Sequence, residues 1–421
     1  MNLLEDLRWR GLIAQSTDEK ALAEALKKPI TLYVGFDPTA PSLHVGNLVV
    51  LLVLRRFQLA GHNPIALVGG ATGLVGDPSG RNEERTLNSQ EIVGQWVHRI
   101  KTQVSAFLDF KSKTNPALVV NNLDWTEPLT AIEFLRDIGK HFSVNQMLAK
   151  DSVATRLEAG GISYTEFSYQ VLQSLDFLEL YKRNSCTLQL GGSDQWGNIV
   201  AGLDLIRRVE GGSGHAFTVP LLTKADGTKF GKTAGGSVWL DPEMTSPYAF
   251  FQYWLNSDDK DVINFLKVFS FKSRKEIEEI EKEHNENPGA RNAHRALARE
   301  LTALIHGDET SARVEEAAKA LFGQGDLNSL DEKTLASALS ELPRVQISSK
   351  EEIPTWVDLL AAAGVVDSKS AARRIVKEGG AYLNNEKISG EDFRLEKTHF
   401  LCGKYAVLRK GKRDLAAVEL I

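Results

Sequence analysis

Apolar positions along this chain follow two rhythms that alternate. Residues 31–35, TLYVG, form a short β-branched and aromatic run of the kind that suits a buried strand. Residues 36–41 then break into a loop at Pro38 and Pro41. Helical spacing follows from about 44 to 60, with Ser42 expected as the N-cap and Gly61 placed to end the helix. Residues 64–68 return to a strand pattern. Strand, helix and strand make a βαβ unit, which crosses over right-handed in a parallel sheet.

The same alternation continues. Residues 1–30 read as helical, 118–125 as a strand with its loop, 164–181 as a helix, 186–190 as a strand and 199–209 as a helix. The stretch 85–150 reads as mostly helical, including 134–148. Strands alternating with helices predict an α/β fold with a doubly wound, Rossmann-like parallel sheet. The pattern changes near Pro220. Residues 223–246 are polar, glycine-rich and lysine-bearing, as expected of a mobile surface loop. Residues 247–322 are helical, 323–352 have weak periodicity and read as a linker, and 353–421 read as a small α+β module with a basic tail. The expected domains are therefore 1–222, with a helical insertion at about 85–150, then the loop, the helical domain, the linker and the terminal module.

Composition narrows the class. The 421 residues suggest roughly three domains, and 42% hydrophobic with 25% charged residues is an ordinary globular balance. A net charge of −5 means that contact with nucleic acid must come from a local basic patch. Two cysteines, Cys186 and Cys402, are too few for a zinc site or a disulfide framework, which fits a reducing compartment. The first residues lack a signal-type apolar core, and the densest apolar run, 48–54, is too short to span a bilayer. A cytoplasmic location without membrane contact is expected.

Four stretches carry candidate chemistry. His44, Gly46 and Asn47 sit in HVGN at the mouth of the first crossover helix, where free backbone N–H groups and the helix dipole favour phosphate. Lys229, Lys232 and Thr233 lie in KFGKT, whose two ammonium groups can reach a polyphosphate. KFGKT is not a Walker A loop, because Asp226 stands where that motif needs glycine, and GxGxxG is absent after the second strand. Tyr169, Gln173 and Asp176 recur at i, i+4 and i+7 and so share one helix face. Tyr33, Asp77, Asn122 and Gln195 sit at strand ends or in the following loops, which converge at the carboxyl edge of such a sheet. Finally, Arg373, Arg374 and Lys377 share a helix, and Arg409, Lys410, Lys412 and Arg413 form a basic tail suited to RNA phosphates. Singly, the histidine turn and the lysine loop read equally as solvated surface, and the basic helix as an ordinary charged face.

Taken in order, HVGN at 44–47, YTEFSYQVLQSLDF at 164–177, GGSDQWGN at 191–198 and KFGKT at 229–233 resemble the bacterial tyrosyl-tRNA synthetases, a family of class I aminoacyl-tRNA synthetases. The resemblance covers essentially the whole chain. It implies a Rossmann-like catalytic domain, a dimer-forming insertion, an α-helical anticodon-stem-binding domain and a ribosomal-protein-type RNA-binding module. It implies ATP with Mg²⁺, L-tyrosine and tRNA(Tyr) as substrates, no protein-bound metal, and a homodimer. His44, Thr39, Lys229, Lys232 and Thr233 would then meet the charge that develops on pyrophosphate. Gly35, Asp37, Gly46, Asn47, Gly192, Asp194 and Lys232 would line the ATP site. Asp77, Tyr169 and Gln173 would hold the amino group, Tyr33 and Asp176 the phenol, with Asn122 and Gln195 also at the amino acid. The resemblance extends in fold to tryptophanyl enzymes, and a non-catalytic RNA-binding relative is the other reading. Two departures stand out: Asn47 where many relatives carry histidine, and Val34 where a cysteine is frequent.

Overall fold

The computed structural model describes residues 2–79, 87–150, 153–154, 156–157, 160–228, 230–233, 236–340, 342–350, 352–411 and 414–421, the side chain of Thr233 excepted. Two compact units result, one of Met1–Asp241 with Asp258–Glu279, the other of Pro242–Ser257 with Ile280–Ile421.

The first unit is built on six strands: β1 (Gln15–Ser16), β2 (Thr31–Phe36), β3 (Asn63–Val68), β4 (Leu118–Asn121), β5 (Cys186–Gly192) and β6 (His215–Val219). Their order is β1-β6-β5-β2-β3-β4. Neighbours run parallel, as the alternation predicts, except that β1 pairs antiparallel with β6. Two residues are too short a run to show a period, so the expected helical segment 1–30 is instead two helices, Leu3–Trp9 and Glu19–Ala25, flanking this edge strand. Both sheet faces are covered. Tyr33, Ile65 and Leu67 face a core shared with Leu175, Phe177 and Leu178 of the Tyr164–Asn184 helix. On the opposite face Phe57, from the Val45–Leu59 helix, meets Phe217 edge-on at 6.1 Å. From β2 the chain steps to β3 on one side and returns to β5 on the other. The order therefore reverses between β2 and β5, which opens a crevice at their carboxyl ends.

Three boundaries differ from expectation. His44, not Ser42, caps the first crossover helix, and the Ser42 hydroxyl donates to the Leu43 carbonyl. Residues 134–148 are not one helix but a π-turn at Phe134–Ile138, a 3₁₀ turn at Gly139–His141 and a short helix at Val144–Leu148. Phe134, Ile138 and Phe142 all pack on the core around Tyr33, and Gly139 weakens the α-helix between them. Residues 258–279, expected in the helical domain, belong to the first unit. The apolar Val262–Phe269 helix packs against the Val45–Leu59 helix, and buried Arg10 donates to the carbonyls of Lys267 at 2.9 Å and Lys272 at 2.6 Å.

Near the lysine loop two short strands, β7 (Lys232–Thr233) and β8 (Gly236–Ser237), pair antiparallel. The second unit holds the helices Pro247–Leu255, Asn292–His306, Asp308–Leu321 and Glu332–Leu339, then a five-stranded sheet. That sheet contains β9 (Arg344–Ile347), β10 (Ala381–Leu383), β11 (Glu386–Lys387), β12 (Tyr405–Lys410) and β13 (Asp414–Leu420), in the order β11-β10-β12-β13-β9. The expected linker 323–352 is thus structured. Asp331 caps the Glu332–Leu339 helix, and β9 pairs parallel with β13, so the terminal module starts before residue 353. Four residues with only Ile347 fully buried carry too little alternation to reveal a strand.

Candidate active site

The crevice is lined by what the strands end in. Gly35 lies near the end of β2 and Asp37 just after it, Gly69 to Thr72 follow β3, Asn122 follows β4, Gly192 ends β5, and Asp194 and Gln195 follow it. Across it lies the polar face of the Tyr164–Asn184 helix.

The deepest part is a slot that ends in an acid. Asp176 is 2% exposed, accepts from Asn122 Nδ2 at 3.0 Å through one oxygen and from Trp125 Nε1 at 2.9 Å through the other. Burial pushes its carboxyl up to about 8, against the pull of those two donors. Tyr33 is 1% exposed, its ring is 5.4 Å from Phe177, and its hydroxyl has no hydrogen-bond partner among the described residues. Burial raises that phenol well above its ordinary value, and the nearby Asp176 carboxylate adds to the shift. An unpaired buried hydroxyl costs free energy unless something completes it. Two more buried acceptors, Gln173 Oε1 and Gln189 Oε1, are likewise without a partner among the described residues. Gln189 is the sheet partner of Tyr33 and so shares its face.

From this slot a polar chain runs outward. Asn122 also donates to Thr72 Oγ1 at 3.0 Å, Thr72 donates to Asp37 Oδ1 at 2.6 Å, and Tyr169 donates to Asp37 Oδ2 at 2.6 Å. Gly69 is required here, because a Cβ would lie 2.1 Å from Asp37 Oδ1 and 2.2 Å from Thr72 Oγ1. Asp77 accepts from Gln195 Nε2 at 2.7 Å and from the Ser79 N–H at 2.9 Å. Burial holds the Asp194 carboxyl above its usual range, and the Asp77 charge adds to this. Tyr169, Asp37, Asp77 and Gln195 therefore form two acidic, hydrogen-bonded pairs suited to an ammonium group.

At the helix mouth His44 Nδ1 accepts the Gly46 N–H at 3.0 Å, while Asn47 Oδ1 accepts the His44 N–H at 3.1 Å. A neutral imidazole in that arrangement carries its proton on Nε2. Burial lowers the His44 pKa, and Lys232 lowers it further, so the ring is neutral at pH 7. Gly46 makes room for the ring: a Cβ would meet His44 Cε1 at 2.8 Å. The lysine loop lies on this same turn. Gly231, at φ +80°, would place a Cβ 2.8 Å from Val45 Cγ2, Val45 N–H donates to the Val238 carbonyl at 3.0 Å, and the His44 and Trp239 rings are 5.9 Å apart. Lys232 and Thr39 are exposed to solvent. Lys229 and the side chain of Thr233 lie outside the described residues.

The terminal module shows one correction. Arg373, Arg374 and Lys377 are exposed, near Glu391 (3.7 Å), Glu378 (3.9 Å) and Glu391 (3.0 Å) respectively. Arg409, expected among the RNA-facing cations, is 9% exposed instead. It lies 3.9 Å above the ring of Tyr382, its cross-strand partner, and donates to the Gly411 carbonyl at 2.6 Å. It lies on the sheet face opposite Ala406 and Leu408 of the module's core, and is covered there whatever its charge. Lys410 is half-buried, paired with Asp414 at 2.8 Å. Lys412 and Arg413 lie outside the described residues.

Trp125, Thr72 and Gln189 escaped the sequence reading. An indole and a hydroxyl signal no chemistry alone, and only the buried acid beside them gives them a role. Gln189 left a trace, as a polar residue between the apolar Leu188 and Leu190 of β5.

Residues 25–323 match the family model described as tRNA synthetases class I (W and Y), and residues 334–418 match the tyrosine–tRNA ligase SYY-like C-terminal domain. A tyrosine–tRNA ligase of Streptomyces coelicolor is 62% identical over 422 residues, covering 100% of this chain and 99% of the relative. One of Thermobifida fusca is 59% identical over 430 residues, with 100% and 99% covered. Among solved structures, a C-terminally truncated mitochondrial tyrosyl-tRNA synthetase of Aspergillus nidulans superposes with a TM-score of 0.70 at 31% identity, covering 76% of this chain and 94% of that one.

Proposed function

The chain belongs to the tyrosine–tRNA ligases, within the class I tRNA synthetases of the tryptophan and tyrosine branch, and we propose that the slot ending at Asp176 is where it selects its amino acid. It is an ATP-dependent ligase: it activates L-tyrosine as tyrosyl-adenylate with release of pyrophosphate, then transfers the tyrosyl group to the 3′ end of tRNA(Tyr).

One observation carries the assignment of the slot. The unpartnered Tyr33 hydroxyl and the Asp176 carboxylate, both buried on the same core, are complementary to a phenol that accepts from one and donates to the other. Phenylalanine leaves the Tyr33 hydroxyl without a partner, at roughly 1–3 kcal/mol, and forgoes the hydrogen bond that the phenol gives Asp176, about 1.5–3 kcal/mol for a bond to a charged group. Asn122 and Trp125 hold Asp176 in place. Asp77, Tyr169 and Gln173 take the ammonium group, with Gln195 orienting Asp77. Loss of tyrosine-over-phenylalanine discrimination in Asp176→Ala, read by ATP–pyrophosphate exchange, tests this reading.

Activation breaks the α–β bridging bond of ATP as the tyrosine carboxylate attacks the α-phosphorus, and the bridging oxygen leaves with pyrophosphate. Positioning and charge stabilisation serve this step. His44 offers its Nε2 hydrogen to the developing charge, and Lys232, Lys229, Thr39 and Thr233 are the other residues assigned to it. Mg²⁺ enters as part of the nucleotide substrate. Asp37, Gly35, Gly46, Asn47, Gly192 and Asp194 line the adenosine, with Asp194 at the ribose. In the second step the terminal ribose hydroxyl attacks the tyrosyl carbonyl and AMP leaves. Arg373, Arg374 and Lys377 contact the tRNA backbone.

The tryptophanyl reading is disfavoured by the matched C-terminal domain and by the acid in the slot. Ile132, Leu135 and Val144 expose large apolar side chains on the broken segment at 131–148, which supports a homodimer formed there. No helix among the described residues is long and apolar enough to cross a membrane, in keeping with a cytoplasmic enzyme.

A further inference from the structure

Behind the acid of the slot stands a residue with no part in the roles above. Asp176, Glu179 and Arg183 lie on one helix at i, i+3 and i+7, and therefore on one face. Arg183 Nε donates to Glu179 Oε2 at 2.7 Å, and its guanidinium carbon lies 5.6 Å from the centre of the Trp125 ring. Trp125 is nearly buried and gives its single hydrogen-bonding group to Asp176. The Arg183 side chain is 54% exposed, so it reaches the indole from the solvent side. A relay results: surface cation, indole, buried carboxylate.

We propose that Arg183 is a positioning residue for amino-acid selection, its guanidinium holding the Trp125 indole so that the ring N–H stays aligned on Asp176. A cation over the face of an indole is attracted to it and draws electron density toward itself, which makes the N–H a better donor. It also sets a positive charge behind a carboxylate whose other charged neighbours are acidic. Asp37 from the loop after β2 and Glu179 on the same helix both disfavour the ionised acid, whereas the uncharged Asn122 and Trp125 favour it. Tyr33 faces it from β2 as a neutral phenol. Glu179 and Arg183 thus act on Asp176 with opposite sign, and their ion pair balances the two. An arginine in the last turn of a helix also suits the macrodipole, and a role confined to that would leave amino-acid selection untouched.

The inference rests on the reading of the slot given above, and the test separates the two. The full-length wild type, Arg183→Gln, Arg183→Lys and Glu179→Gln are compared in ATP–pyrophosphate exchange with tyrosine and phenylalanine between pH 6.5 and 9. Arg183→Gln should raise KM for tyrosine about two- to fivefold with KM for ATP unchanged, the effect expected of one partly exposed cation–π contact. It should lower tyrosine-over-phenylalanine discrimination by a similar factor and move the rising limb of kcat/KM for tyrosine to higher pH. Glu179→Gln should move that limb to lower pH, and Arg183→Lys should restore most of the discrimination. If the wild type selects tyrosine but Arg183→Gln keeps its discrimination and its limb, Arg183 has no such role. Should Arg183→Gln fail to fold, an unaltered pH limb in Glu179→Gln overturns the proposal equally. A wild type that does not exchange with tyrosine overturns instead the reading of the slot.

Discussion

Asn122 and Asp176 share a hydrogen bond of 3.0 Å, the asparagine fully buried and the acid 2% exposed. The second hydrogen of the same amide goes to Thr72, and through it to Asp37 and Tyr169. The end of the slot proposed to read the phenol and the end proposed to face the amino group are thereby parts of one hydrogen-bonded network. Removing a member should disturb both. Asn122→Ala leaves a buried carboxylate short of one donor, at a cost of about 1–3 kcal/mol. KM for tyrosine is expected to rise roughly tenfold, with KM for ATP little changed, in steady-state pyrophosphate exchange.

The acidity of Asp176 gives a pH signature. Its carboxyl is pushed up to about 8 in the empty slot. Two donors already point at its oxygens, so the ionised form suits the substrate phenol. The proton must therefore be lost before productive binding, and kcat/KM for tyrosine should rise as pH increases from about 7 to 9. Asp176→Asn should flatten that rise. Because burial and Lys232 hold the His44 pKa below the ordinary 6.5, no second change is expected from the imidazole between pH 7 and 9.

On the proposed reading His44 acts on the phosphates and not on the amino acid. Its Nδ1 is engaged with its own helix, which leaves the Nε2 hydrogen for the charge that develops. His44→Ala should lower the rate of adenylate formation on the order of 10²-fold, as loss of one transition-state donor does, and leave tyrosine affinity near its original value. Pre-steady-state adenylate formation with equilibrium tyrosine binding separates the two quantities.

The cations of the terminal module divide into two kinds. Arg373, Arg374 and Lys377 are exposed, so reversing all three to glutamate should weaken tRNA charging and flatten its salt dependence by about three phosphate contacts. Pyrophosphate exchange, which needs no tRNA, should be unchanged. Arg409→Ala should instead lower the melting temperature, since that guanidinium is stacked on Tyr382 inside the sheet. Its effect on the salt slope should be nil.

Much of this was readable beforehand, for a physical reason. Tyr169, Gln173 and Asp176 recur at helical spacing, so their shared face follows from the 3.6-residue period alone. Strand ends in a parallel sheet and the loops after them converge by topology, which gathers Tyr33, Asp77, Asn122 and Gln195 without knowledge of any contact. What topology leaves open is pairing. That Tyr169 would donate to Asp37, or Trp125 to Asp176, depends on side chains 132 and 51 positions apart in sequence meeting in the folded chain. Arg409 shows the opposite failure, since a basic run reads as a surface patch until the fold covers the sheet face on which one member lies beside Tyr382. The strand β9 and the helix before it were hidden because each is short, and each gains its stability from the module it joins.

The most direct measurement is ATP–pyrophosphate exchange by the purified chain with tyrosine, phenylalanine and tryptophan in turn, repeated with Asp176→Ala. The account predicts exchange with tyrosine at least about a hundredfold more efficient than with phenylalanine, the unmet Tyr33 hydroxyl and the forgone hydrogen bond to Asp176 being the cause. It predicts that most of this preference is gone in the variant. Equal use of phenylalanine or tryptophan by the wild type, or full tyrosine preference retained without the Asp176 carboxylate, would contradict it.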